Sequence, residues 1–199
     1  MDNNLTILPA NQASWDDLLA VLGPARCHGN PCYCQRFKIY GRDWSVVSDQ
    51  QRAERLRAQT QCGDPAASQT SGLVAWLDGE PVGWCAVEPR EAYIELMRRN
   101  WIWAGRDEAE EGVWAVTCFI IRNGYRRRGL TYALALAAVN FARQRGARAL
   151  EAYSMITYPG KIITWGELHV GSYNIFEEAG FKKVSQPSKR RIIMRVDFE

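Results

Sequence analysis

Apolar and polar positions fall into blocks that predict alternating strands and helices, and the clearest block spans residues 113–146. Residues 113–121 are nine positions rich in β-branched and aromatic types with no charge among them, the pattern of a strand buried on both faces in the middle of a sheet. Asn123-Gly124 breaks the run. From Thr131 apolar residues recur at Leu134, Ala137, Ala138, Phe141 and Ala142, which is one face of an amphipathic helix, and Gly146 is placed to cap its C-terminus. Residues 147–154 then predict a second strand. Strand, helix and strand in this order predict a right-handed βαβ unit with two parallel strands, in which Glu151 and Tyr153 share one face.

The remaining pattern is read in the same way. Residues 5–22 predict a short strand and a helix capped by Ser14, with Asp16 and Asp17 in its first turn and Gly23-Pro24 at its end. Residues 49–61 are charged and Leu-poor, as in an exposed helix, and 62–68 have the composition of a loop. Residues 72–88 are two apolar runs joined by Asp78-Gly79-Glu80-Pro81, a hairpin signal. A turn at Pro89-Arg90-Glu91 leads into a helical pattern over 92–99. Trp101 and Trp103 are expected to pack or to cover a cleft, and the acidic stretch 107–111 reads as a solvated loop in which Glu110 and Glu111 are outside candidates for chemistry. Residues 155–170 form a long connection with Tyr158-Pro159-Gly160, Trp165 and His169, and long loops in compact domains tend to be functional, so a substrate-specific flap is expected there. Antiparallel strands over 182–184 and 190–198 complete the chain. There are no internal repeats and no low-complexity segments.

Length and composition narrow the picture. A chain of 199 residues, 47% hydrophobic and 24% charged, predicts one soluble globular domain over residues 1–199. No apolar run reaches the roughly 18 residues of a membrane span, and the first ten residues lack the layout of a signal peptide, so no membrane association and a cytoplasmic location are expected. A net charge of +3 is too balanced for a chain whose main partner is nucleic acid. The distribution is more telling than the sum: between residues 122 and 150 lie Arg122, Arg126, Arg127, Arg128, Arg143, Arg145 and Arg148 without one carboxylate, which suits a compact phosphorylated ligand. Residues 126–131 sit between strand and helix, so cationic side chains and free backbone N–H groups converge at a helix N-terminus. Taken alone, three arginines before a glycine fit a solvated turn; with strand and helix on either side they read as a pyrophosphate cradle.

A second cluster lies in residues 26–37, which hold three of the six cysteines and one of the two histidines. Cys27, His28, Cys32 and Cys34 lack the paired C-x2-C spacing of a zinc knuckle and have no second ligand cluster later in the chain. A disulfide does not suit a cytoplasmic chain. The expectation is therefore no metal, with Cys32 and Cys34 alternating on a strand-like segment as small apolar side chains and Tyr33 on the opposite side.

The stretch FIIRNGYRRRGLT resembles the acetyl-coenzyme A signature of the GNAT N-acetyltransferase superfamily, a strand followed by [QR]-x-x-G-x-[GA] at a helix start. Arg126 takes the first position and Gly129 that of the glycine; Thr131 departs from the final Gly or Ala, although its hydroxyl can donate to a phosphate oxygen. Residues 172–181, SYNIFEEAGF, resemble the second block of the family through Ser172, Ile175, Glu177, Gly180 and Phe181, with Phe176 where the family often has Tyr and His169 where it often has Asn. The likeness covers about residues 72–198. It implies an α/β fold: a mixed, twisted sheet, mostly antiparallel with a central parallel strand pair, and helices on both faces. It also implies acetyl-CoA as acyl donor, bound beyond the carboxyl ends of the parallel strands. Its pantetheine arm would ladder onto the backbone of Phe119, Ile120 and Ile121, and its pyrophosphate would lie on Arg126, Arg127, Arg128, Gly129, Leu130 and Thr131. The acceptor would be an amine of a small molecule or a protein, attacking directly in a ternary complex, with the Cys-aromatic-Cys element lining its cleft. A homodimer is the family-level expectation.

Two further functional readings stand beside this one: a catalytically idle acyl-CoA binder acting as a sensor, and a zinc or nucleic-acid module built on the Cys-rich segment and the arginines. For the proton transfers, freeing the lone pair of a lysine-like amine at neutral pH costs roughly 4 to 5 kcal/mol, whereas a thiol near pKa 8.5 leaves unprotonated for about 2 kcal/mol. A base is needed more than an acid. Glu151 is the expected base or water-positioner, with His169 as runner-up, and Tyr173 the optional acid. Glu151 reads equally as an ion-pair partner for an arginine, and Tyr173 as a packed aromatic.

Overall fold

The computed structural model describes residues 4–26, 29, 31–99, 105–107 and 109–199. Seven strands make one sheet: β1 (Leu5–Pro9), β2 (Leu73–Leu77), β3 (Glu80–Pro89), β4 (Val113–Ile121), β5 (Ala149–Met155), β6 (Lys182–Ser185) and β7 (Arg191–Asp197), in the order β1-β2-β3-β4-β5-β7-β6. Only β4 and β5 run parallel; every other neighbouring pair is antiparallel. The helices are α1 (Trp15–Leu22), α2 (Asp49–Thr60), α3 (Ile94–Met97), α4 (Leu130–Gln144), α5 (Trp165–Leu168) and α6 (Tyr173–Glu178). No helix among the described residues is long and apolar enough to cross a membrane.

Local chemistry accounts for the boundaries. Ser14 and Asp17 form a reciprocal capping box at α1, and Ser48 and Gln51 do the same at α2. The hairpin turn is tighter than the four-residue expectation: Asp78 and Gly79 alone turn, both at positive φ, as a two-residue hairpin loop requires, and Glu80 and Pro81 already belong to β3. Two cores result. On one face, α4 and α6 lay Leu134, Ala138, Ala142, Ile175 and Phe176 over Val82, Val87, Val116 and Phe119. On the other, Leu18 and Leu22 of α1 and Leu56 of α2 cover Val74, Trp84, Ala86, Cys118 and Ile120.

The feature that positions the site is an irregularity in β4. Ala86 lies opposite Cys118 but Val87 lies opposite Val116, so Thr117 is an extra residue, a β-bulge. One inserted residue inverts the alternation: Val116 and Phe119 face α4, while Thr117 and Cys118 both line a small cavity on the other face. β4 and β5 pair in register only over Val113–Ala149 to Val116–Ala152. Beyond the bulge they splay.

The Cys-rich segment differs from expectation. Residues 32–37 form turns, with Tyr33 and Cys34 in the left-handed region at φ 45° and 53°, so Cys32 and Cys34 do not alternate along a strand. Both are nevertheless buried. A hydrogen bond from Trp84 Nε1 to Cys34 Sγ, 3.0 Å long, anchors the turn, and contact with the Cys118 thiol together with burial holds the Cys34 thiol pKa above its usual range. Cys27, His28, Trp101 and Trp103 lie outside the described residues.

Candidate active site

Where β4 and β5 diverge, the segment from His169 to Ser172 is stitched into the gap. Phe119 N–H donates to His169 O at 2.6 Å, Met155 N–H donates to Gly171 O at 3.0 Å, and Met155 and Ser172 form a parallel bridge. Gly171 makes this insertion possible. It sits at φ +95°, and a Cβ there would stand 2.7 Å from Phe176 Cε2 and 2.8 Å from Ile175 Cδ1.

On the α4 side of the gap lies a cavity of about 400 Å³. Its outer end is the turn before α4. Arg127 and Gly129 have φ +62° and +75°, which aims backbone N–H groups to one side as in an anion-binding nest. No side chain caps α4, so the N–H groups of Leu130 and Thr131, which have no intrahelical acceptor, are left for a ligand. A Cβ on Gly129 would meet nothing within 4 Å. The space a phosphate needs is there.

Of the nine residues read as cofactor-binding, Phe119, Ile121, Arg126, Arg127, Gly129, Leu130 and Thr131 line this cavity. Arg126 Nε also ties the turn to the end of β4 by donating to Ile121 O at 3.2 Å. Arg128 stacks its guanidinium over the Tyr125 ring at 5.4 Å instead. Ile120 stands opposite Trp84 of β3, and because Arg122 N–H donates to Val82 O, antiparallel alternation turns the ladder groups of Ile120 toward β3. The same alternation turns Phe119 C=O and Ile121 N–H into the gap. Sequence reading missed Leu168, Gly171 and Tyr132 on the cavity wall; Gly171, directly before the Ser172 N-cap, carried the one available signal.

His169 also lines this cavity. Its Nδ1 is 2.8 Å from Gly166 O, and a carbonyl only accepts, so Nδ1 carries the proton and Nε2 is the basic nitrogen of the neutral ring. The ring stacks on Phe37 at 6.0 Å and leans on Trp165 at 6.1 Å. His169 and Trp165 also line the small cavity on the opposite face, with Cys32, Cys34, Thr117 and Cys118. The two cavities therefore share a wall at the splay.

Glu151 is placed elsewhere. It lies in register with Ala115, in the paired half of β5, and is 3% exposed. Arg90 and Arg195 each reach its Oε1 at 3.1 Å and Tyr153 OH donates to its Oε2 at 3.0 Å. It lines neither cavity of the splay. Both carboxylate oxygens are engaged, so this geometry favours the ion-pair reading of Glu151 over that of base. Burial, then the Glu151 charge, push the Tyr153 phenol pKa well up. Glu110 joins the same network through Arg195, 2.5 Å away, whose hydrogen bond draws the Glu110 pKa down. Tyr173 donates its hydroxyl to Glu177 at 2.7 Å, which raises its pKa, and it too lies off the wall of the large cavity.

A family model for the acetyltransferase (GNAT) family matches residues 35–157. The chain belongs to the GNAT acetyltransferase family. No curated protein matches it in sequence. Among solved structures, the PaiA N-acetyltransferase of Thermoplasma acidophilum in complex with coenzyme A is similar at 14% identity and a TM-score of 0.51, over 98% of this chain and 99% of that one. YncA of Salmonella typhimurium with its cofactor acetyl-CoA matches at 14% identity and 0.53, over 98% and 94%. A ribosomal-protein-alanine N-acetyltransferase of Brucella melitensis matches at 18% identity and 0.54, over 97% and 99%. At these identities the likeness is one of fold, and it agrees with the single parallel pair in the sheet. The cavity at the splay has an open anion cradle, which fits the acetyl-CoA that family membership implies.

Proposed function

We propose that this GNAT protein transfers an acetyl group from acetyl-CoA to a primary amine by direct attack, with His169 as general base. The observation that carries the reading is that His169, with Trp165, forms the shared wall of two cavities on opposite faces of the sheet, meeting where β4 and β5 splay, and is the titratable one of the two. Acetyl-CoA supplies an activated thioester. Arg126, Arg127 and the N–H groups of Leu130 and Thr131 hold its pyrophosphate, while Phe119 C=O and Ile121 N–H ladder with its amides. His169, its Nδ1–H fixed on Gly166 O, takes the ammonium proton on Nε2, directly or through one water. The N–C bond then forms and the C–S bond breaks, the electron pair leaving with sulfur, and the second proton on the acylated nitrogen passes to the departing thiolate or to water. A thiolate leaving group costs only about 2 kcal/mol at neutral pH, so the absence of Tyr173 from the cavity wall is tolerable.

The test is thiol release from acetyl-CoA in the presence of a panel of amines, alongside thermal melting with acetyl-CoA. Amine-dependent release is expected. A full melting shift with release no faster than the amine-free background would sink the transfer reading and favour the acyl-CoA sensor.

A further inference from the structure

We propose that the acceptor is a primary amine that also bears a carboxylate, an amino acid by chemical class, and that Arg36 is the residue that reads the carboxylate. The proposal rests on the transfer reading above and adds a substrate class to it. The small cavity beside His169 has room for about 10 Å³, the space of one water-sized group. An unsubstituted amine nitrogen fits there; a secondary amine with substituents on both sides does not. The rest of the acceptor must lie outward along the same wall, which includes Arg36.

Arg36 stands apart from the cations around it. Lys38 pairs with Glu88, Arg42 with Asp43 and Arg99 with Glu95, while Arg98 lies over the Tyr40 ring. Arg36 is half-buried and has no ion pair, hydrogen bond or ring contact among the described residues. A partly desolvated guanidinium without a partner is costly, and a carboxylate is the group its planar fork of donors matches best. Neither cavity at the splay has an Asp or Glu on its wall among the described residues. A polyamine or aminoglycoside would find no carboxylate for its further ammonium groups and would meet the charge of Arg36. An amino acid brings its own counter-charge. Arg36 then also favours the neutral form of the amine beside it, which helps His169 to remove the proton.

The experiment compares the common L-amino acids with their amides and with spermidine as acceptors, in wild type, Arg36→Gln and Arg36→Lys. Binding of the same compounds to the coenzyme A-loaded protein is measured in parallel. Wild type is expected to prefer at least one acid over its amide tenfold or more in kcat/KM. Arg36→Gln should erase that preference, Arg36→Lys should restore part of it, and the melting shift caused by acetyl-CoA should be the same in all three. Equal use of acid and amide, a preference for spermidine, or a preference that survives in Arg36→Gln overturns the proposal. If nothing is acetylated, the transfer reading fails and binding decides: acids binding tenfold tighter than amides, dependent on Arg36, sustain the carboxylate site, and equal binding overturns it.

Discussion

The two cavities that meet at His169 are built on different principles. The cavity proposed for the donor is large, about 400 Å³, and its charged end is main chain and arginine drawn from one strand, one turn and one helix start. The cavity proposed for the acceptor offers about 10 Å³ and is assembled from residues 32–37, the bulge at Thr117 and Cys118, and the segment at Trp165 and His169. One offers a ligand groups that any sequence of this local shape would present. The other is lined by individual side chains, so its specificity changes with single substitutions while the donor side stays the same.

The comparison breaks most visibly at the residue both sides share. His169→Gln is expected to lower kcat by about 10²- to 10⁴-fold, the range for a lost general base, with KM for acetyl-CoA within a few-fold of wild type; unchanged turnover would remove His169 from the chemistry. Glu151→Gln should do the reverse. Leaving Arg90 and Arg195 without their buried carboxylate should cost about 3–5 kcal/mol of stability, read by denaturant unfolding, while kcat at a permissive temperature stays near wild type.

On the donor side alone, Gly129→Asp puts a charge and a side chain into the cradle and strains a residue at φ +75°. Loss of the acetyl-CoA melting shift in a folded variant is expected, and a retained shift would move the pyrophosphate elsewhere. Arg127→Gln should weaken acetyl-CoA about tenfold by titration, as for one charge-assisted contact, whereas Arg128→Gln, whose side chain is spent on Tyr125, should change it less than twofold. The smallest effect is on pH dependence. The folded-state pKa of Glu110 is drawn down by Arg195, so its contribution to stability is present above the unfolded carboxylate pKa and is lost as pH falls through the lower folded value. Glu110→Gln should flatten the acid limb of a stability–pH curve by a fraction of a kcal/mol, since the pair is partly solvated.

What was legible in the chain follows the same division. The strand at Val113–Ile121, the helix that follows and the turn between them are contiguous, and seven of the nine residues named from the motif line the cavity. Arg128 lies over Tyr125 and Ile120 pairs toward β3, which run and motif could not show because they do not say which way a side chain or a ladder group turns. Glu151 looked like a base because a carboxylate on a parallel strand near the expected site is chemically apt, yet its partners, Arg90 and Arg195, are 61 and 44 residues away in sequence. Phe37 and Arg36 could not be placed at all, since the turns around Cys34 depend on Trp84 fifty residues on.

By itself the sequence determined the donor half: hydrophobic periodicity set the strand and helix, a glycine in a basic turn set the cradle, and these are short-range properties of φ/ψ preference and helix ends. Only the tertiary structure decided the acceptor half. The bulge at Thr117 appears only when β4 is paired with β3, and the gap it opens is filled by a flap held by the small size of Gly171 against Phe176. Pairing register and close packing are relations between distant segments, and such relations are settled by the fold as a whole.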